Sequence, residues 1–213
     1  MNAELHSRHS AIIPRATSQM HVAIAGAGMT GSWTAIILAR MVRHIDIWDF
    51  DTIEPGNLGV QAYTETQLGT NKAVAIEQIT AGLPIRANQT RFPRTIPACD
   101  VLILCVDSMK VRREIATRAQ DQQLPIMIDT RAMGELASLQ IVAPGALTYD
   151  DYLLELLSDA EVPDGTCGAT GTPFTGPWIG SQVAAAITSI GRGIPPTPRT
   201  VWHIGLNTSV APV

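Results

Sequence analysis

The chain has few cysteines, and they are not arranged to hold a metal. Its three, Cys99, Cys105 and Cys167, form no C-x-x-C pair. A four-thiolate site is therefore excluded, and no zinc is expected. There is no run of lysine or arginine either. With 15 basic residues against 19 acidic ones, the sequence lacks the basic face that a nucleic-acid partner requires. The N-terminus shows no basic, apolar and small-residue succession of signal-peptide type. The apolar stretch from Val22 to Val42 is interrupted by glycines, Ser32, Thr34 and Arg40, so it does not read as a membrane span. These absences lead us to expect a cytoplasmic protein with reduced thiols and no membrane partner. No internal repeat or low-complexity tract is present.

What the chain does have is enough apolar material for one sizeable core: 213 residues, 46% of them hydrophobic. We expect a single domain over residues 1–213. Residues 1–19 are polar and irregular and read as an arm outside the sheet. Strands are expected at His21 to Ala25, His44 to Trp48, Val101 to Val106 and Ile126 to Asp129, separated by helices at Thr30 to Val42, Asn71 to Ala81 and Ser108 to Gln122. Strands apolar on both faces that alternate with helices imply a parallel sheet covered on both sides. The later segments read as strand (Leu136 to Ala143), helix (Thr175 to Ile190) and strand (Arg199 to Leu206). The fold class is α/β: a Rossmann-like doubly wound sheet, parallel in its first half and mixed or antiparallel in its second. Residues 150–175 open acidic and end in a Gly/Thr/Pro stretch, and they are expected to form a long mobile loop.

The first strand runs into Gly26-Ala27-Gly28-Met29-Thr30-Gly31. In such a G-x-G-x-x-G turn the first glycine permits the bend and the second lets backbone approach a phosphate. The third allows close helix packing, with the anion at the helix N-terminus. Asp49 lies 18 residues beyond Gly31 at the end of the second apolar run, where a carboxylate can hold ribose hydroxyls. Asp51 and Asn57 follow, in the crevice at the strand carboxyl ends or simply as loop-capping residues. Lys72 opens a helix, where a cation opposes the helix dipole and calls for a compensating anion such as phosphate. Asp107, after a buried strand, suits either a helix start or a Mg²⁺ ion bridging phosphates.

Taken together in this order, the motifs resemble those of the ThiF/MoeB/HesA family, bacterial relatives of ubiquitin-activating enzymes, from about Arg8 to Ile190. Gly26 to Gly31 looks like the family's glycine loop. Asp49-Phe50-Asp51 with Asn57-Leu58-Gly59-Val60-Gln61 resembles its D-x-D and N-L-x-R-Q motifs. Lys72 is similar to its phosphate lysine, and Asp107 with Arg112 to its metal-proximal aspartate in D-x-x-x-x-R. Arg8-His9 resembles the N-terminal arm whose arginine reaches the partner subunit's ATP, and Thr166-Cys167 resembles the segment of the active cysteine. Two departures stand out: Val60 occupies the place of the usual arginine, and the zinc-binding cysteine pairs common in the family are absent.

The resemblance implies an ATP-dependent adenylyltransferase, with Mg²⁺. Its substrate would be the C-terminal glycine carboxylate of a ubiquitin-like or sulfur-carrier protein, and the enzyme would be a homodimer. Gly26, Gly28, Gly31, Asp49, Asp51 and Lys72 would bind the nucleotide, and Asp107 the metal. Arg8, Asn57, Lys72, Asp107 and Cys167 would carry the chemistry, with Asp49 on the ribose and Cys167 as acyl or sulfur acceptor. Two other readings remain open. One is an NAD-dependent oxidoreductase using the same loop and Asp49, which leaves Asn57, Lys72 and Asp107 without a role. The other is a nucleotide-binding scaffold that has lost catalysis, which Val60 favours.

Overall fold

The computed structural model describes residue 8 and residues 11–158 and 171–210. After one helical turn, α1 (Arg15–Ser18), the chain enters β1 (His21–Ala25), α2 (Met29–Leu38) and β2 (His44–Trp48). It continues through α3 (Lys72–Ile79), β3 (Ile85–Asn88), β4 (Val101–Leu104), α4 (Met109–Asp121) and β5 (Met127–Met133). β6 (Leu136–Val142), α5 (Tyr149–Glu155), α6 (Thr175–Gly191), β7 (Arg199–His203) and β8 (Thr208–Val210) complete it. The eight strands form one sheet in the order β3-β2-β1-β4-β5-β6-β7-β8. The pairs from β3 to β5 are parallel and those from β5 to β8 antiparallel, as the α/β reading expects.

Alternation along the strands divides the core between two faces. Val22, Ile24, Ile45, Ile47, Val101 and Ile103 pack on one side with Ala35, Leu38, Ile76, Ile179 and Val183 of α2, α3 and α6. Ala23, Ala25, Leu102, Leu104 and Met127 pack on the other with Ile115 and Ala116 of α4 and Tyr152 of α5. Helix α6 lies close on α2 because Gly180 has no side chain: a Cβ there would stand 2.9 Å from Ile37 Cδ1 and 3.1 Å from the Thr34 nitrogen.

Three features differ from expectation. β3 and β8 are strands that the sequence does not announce; each lies at an edge of the sheet, and β3 buries only its first residue. The acidic opening of the expected 150–175 loop is instead helix α5, capped by a reciprocal box in which Thr148 accepts from the Asp151 N–H. Cys167, with the rest of residues 159–170, lies outside the described residues. The described part of the arm lies outside the sheet, but its end is fastened: buried Thr17 donates its hydroxyl to Ile187 O at 3.3 Å.

Candidate functional site

The three glycines of the loop do different work. Gly26 adopts φ +97°, and a Cβ on it would lie 2.6 Å from Cys105 O. Only glycine accommodates both the conformation and the crossing of β1's end over β4's. A Cβ on Gly31 would collide with Gly26 O and come within 3.1 Å of Cys105 Cβ, so this residue lets α2 descend onto the turn. Gly28, the N-cap of α2, has no described residue within 4 Å of its hypothetical Cβ. The helix start there is open. It has no side-chain cap and no acidic residue in its first turn, leaving a positive helix end that is open among the described residues, the arrangement that suits an anion.

Asp49 holds this loop in shape. Its Oδ2 accepts from the Ala27 N–H at 2.6 Å and its Oδ1 from the Asp51 N–H at 2.9 Å. Burial pushes its carboxyl above the ordinary carboxylate range, and these two bonds together with the Lys72 charge hold back the rise. The expected ribose carboxylate is therefore already bonded to backbone through both oxygens. Asp51 is the accessible acid, with half of its side chain exposed and Lys72 Nζ 3.1 Å from its Oδ2.

Lys72 is the first residue of α3. Asn71 caps that helix by accepting from the Val74 N–H, and its amide donates to Asp49 O at 2.9 Å and Asp51 O at 3.0 Å. Tyr63 is buried and braces the same region from below, its hydroxyl donating to Ala27 O at 2.6 Å and Lys72 O at 3.2 Å. Asn71 and Tyr63 tie the glycine loop, the β2 end and α3 into one unit. Sequence reasoning passed over both, although an Asn one residue before a helix is a recognised capping signal.

On the other side of β1, the turn after β4 carries Asp107, which is exposed, and Ser108, which caps α4 through Val111 N–H at 3.3 Å. Arg112, one turn into α4, is buried and donates to Val106 O and to the Asp129 carboxylate. Asp129, fully buried, also accepts from Arg131 Nε at 2.7 Å and from the Tyr152 hydroxyl at 3.0 Å. Burial pulls the Arg112 guanidinium down to about 10, still charged at neutral pH. This network fixes the residue immediately before Asp107 against the top of β5. The D-x-x-x-x-R spacing pairs Asp107 with Arg112 in sequence, but the carboxylate that engages Arg112 is Asp129.

The other expected residues are placed less centrally. Asn57 closes a short 3-10 turn, Pro55–Asn57, and its Oδ1 accepts from the Glu54 N–H at 2.9 Å. Val60 offers its carbonyl to Trp33 Nε1 at 3.3 Å. Gln61 beside it has a buried amide oxygen with no hydrogen-bond partner among the described residues. Arg8 is exposed. β2 and β4 flank β1, so the glycine loop, the Asp51–Lys72 pair and Asp107 share the carboxyl edge of three adjacent parallel strands, where ligands bind in open α/β sheets.

The model of the ThiF family matches residues 14–209. A search of curated protein sequences finds no match. Among solved structures, E. coli MccB has a TM-score of 0.78 at 15% identity over 99% of this chain and 69% of its own. E. coli MccB crystallised with AMPCPP and MccA scores 0.72 at 16% identity, covering 92% of this chain and 64% of that one. PaaA, as selenomethionine protein, scores 0.71 at 18% identity over 92% of this chain and 64% of its own. This chain thus spans roughly two thirds of the length of these neighbours, and at such identities the likeness is one of fold. The family match, in contrast, runs from α1 to β8 and takes in every residue of the site just described except Arg8: the chain belongs to the ThiF family.

Proposed function

We propose that this protein uses ATP to adenylate the C-terminal carboxylate of a protein or peptide. The observation that carries the reading is the joint placement, at one sheet edge, of an uncapped helix N-terminus over Gly28, the Lys72–Asp51 pair and exposed Asp107. An anion of several charges, flanked by a cation and a carboxylate, fits that arrangement. The family membership and the neighbour crystallised with AMPCPP and MccA support the same class of reaction. Because that neighbour's partner is MccA, we draw the substrate as a polypeptide carboxyl terminus in general; a ubiquitin-like or sulfur-carrier protein ending in glycine is one member of that class.

In this reading a carboxylate oxygen of the substrate attacks the α-phosphorus of ATP, the bond from that phosphorus to the bridging oxygen breaks, and pyrophosphate leaves. No proton transfer is required, so positioning and electrostatics carry the step. Gly28 and the first turn of α2 hold phosphate, and Lys72 neutralises charge beside it. Asp51 takes the ribose, since Asp49 is bonded to the loop it shapes. Asn57 supports the α-phosphate region from its turn. Asp107 would hold Mg²⁺, which when bound supplies neutralisation of the phosphate charge. Arg8 of the partner subunit in a homodimer adds a cation where Val60 offers none. Cys167 then accepts the acyl group as its thiolate attacks the acyl carbon and AMP leaves.

Calorimetric titration of the purified protein with MgATP, set beside NAD and NADH, tests the reading. We expect saturable MgATP binding that Asp107→Ala weakens, and no dinucleotide binding. Dinucleotide binding without ATP binding would overturn it in favour of the oxidoreductase, whose ribose-holding Asp49 is occupied here by two backbone N–H groups. Tight MgATP binding with no pyrophosphate release on any carboxyl-terminal substrate would favour the inactive scaffold.

A further inference from the structure

We infer that His21, His44 and Asp46 form a transition-metal site at the end of the sheet opposite the nucleotide edge. β1 and β2 pair in parallel register with His21 directly beside His44, and Asp46 lies two residues further along β2, on the same face as His44. The site follows from that register: a one-residue slip would turn one imidazole to the other face. His21 Nε2 lies 2.8 Å from Asp46 Oδ2 and His44 Nε2 3.4 Å from Asp46 Oδ1. One ligand atom from each of the three falls within 4.8 Å of the others, so small side-chain rotations bring all three to coordination distance of one ion.

The surroundings favour such an ion. The Asp46 carboxylate is at the floor, 2% exposed, while the imidazoles form a rim about one third exposed, open to entry from solvent. Arg86 of β3 donates its Nε to Asp46 Oδ1 at 2.6 Å. That bond orients the carboxylate and leaves Oδ2 turned toward His21, the role outer-shell partners play around metal ligands.

Two imidazoles and one carboxylate suit Zn²⁺, Co²⁺, Ni²⁺ or Cu²⁺ rather than Mg²⁺ or Ca²⁺, which prefer all-oxygen shells. A water completes a four-coordinate shell. The cation of Arg86 opposes a second positive charge nearby, so the affinity should be modest. The sequence-based exclusion of zinc rests on cysteine pairs, and this set contains no cysteine. The site is independent of the proposed adenylation: bound metal would join the starts of β1 and β2, about 15 Å of strand away from the glycine loop.

The test is titration of the metal-stripped full-length protein with Co²⁺ alone and, separately, Zn²⁺ alone, read by visible absorption, calorimetry and thermal unfolding. We expect one saturable equivalent, the visible bands of low-coordinate Co²⁺ with nitrogen and oxygen ligands, and a higher unfolding temperature with Zn²⁺. His21→Gln and His44→Gln should each weaken binding by at least tenfold, while Cys99→Ser leaves it unchanged. Circular dichroism of the apo variants establishes that they are folded. Absence of saturable binding to the wild-type protein overturns the proposal whatever the variants do, as does binding that survives in both folded histidine variants.

Discussion

Lys72 and Asp51 meet twice. The Lys72 backbone N–H donates to Asp51 O at 2.9 Å, and its Nζ stands 3.1 Å from Asp51 Oδ2. The cation that begins α3 against the helix dipole is therefore balanced within the protein by a carboxylate 21 positions earlier. The Lys72 side chain is 11% exposed and that of Asp51 50%, so the pair is held from the lysine side and open from the aspartate side. An incoming phosphate can share the ammonium without Lys72 being reordered.

Lys72→Ala should accordingly leave folding almost untouched, within about 1 kcal/mol, since the Asp51 it leaves behind is half exposed and can be solvated. Its MgATP affinity should fall roughly ten- to hundredfold, the loss of one charge-assisted hydrogen bond. Urea unfolding and calorimetry on the same sample separate the two effects, and a stability loss matching the affinity loss would contradict the assignment.

The glycine loop gives a sharper contrast. Gly26→Ala and Gly31→Ala put a methyl group against Cys105 O and Gly26 O and should each cost roughly 1–3 kcal/mol of stability by overpacking. Gly28→Ala has open space for its Cβ among the described residues, so the variant should fold normally and bind MgATP weakly, because the methyl group intrudes where phosphate would approach. Thermal unfolding and ATP titration across the three variants check the ordering.

Removing the charge that holds the β5 top should be costly. Arg112→Met leaves Asp129 fully buried with only Arg131 and Tyr152 to compensate it, and breaking such a pair costs roughly 3–5 kcal/mol. The variant should unfold at markedly lower denaturant than wild type. A change under about 1 kcal/mol would show that the network contributes position without stability.

Thiol chemistry should be selective. Burial pushes the Cys99 thiol up to about 12, and burial raises Cys105 as well, so neither forms thiolate at neutral pH. Iodoacetamide applied to the native protein at neutral pH should leave Cys99 and Cys105 unmodified, as peptide mass mapping would report. Labelling of either one in the folded protein would count against its burial.

Legibility in the sequence followed burial. β1 and β2 are read with their true ends because all but their first residues are buried, which leaves an apolar signature that only Asp46 interrupts. β3 and β8 escape because edge strands have one neighbour and little buried surface to mark them. Helix α5 escapes because its acidic residues resemble a solvated loop, although the Thr148–Asp151 capping box was present to be read. Within the site, the glycines, Asp51, Lys72 and Asp107 stand out by type and spacing, whereas Tyr63 and Asn71 do not, since a tyrosine or asparagine between motifs is common in any protein.

By itself, the sequence determined the alternation of strands and helices, the glycine turn and the family, because these depend on local periodicity and on residue types a few positions apart. Only the tertiary structure decided that Asp49 grips Ala27 and leaves Asp51 exposed, that Arg112 answers to Asp129 rather than Asp107, and that two histidines stand side by side above one aspartate. Those relationships join residues 17 to 25 positions apart, or depend on which of two nearby acids is buried. Strand register and desolvation choose among them, and both are properties of the folded chain.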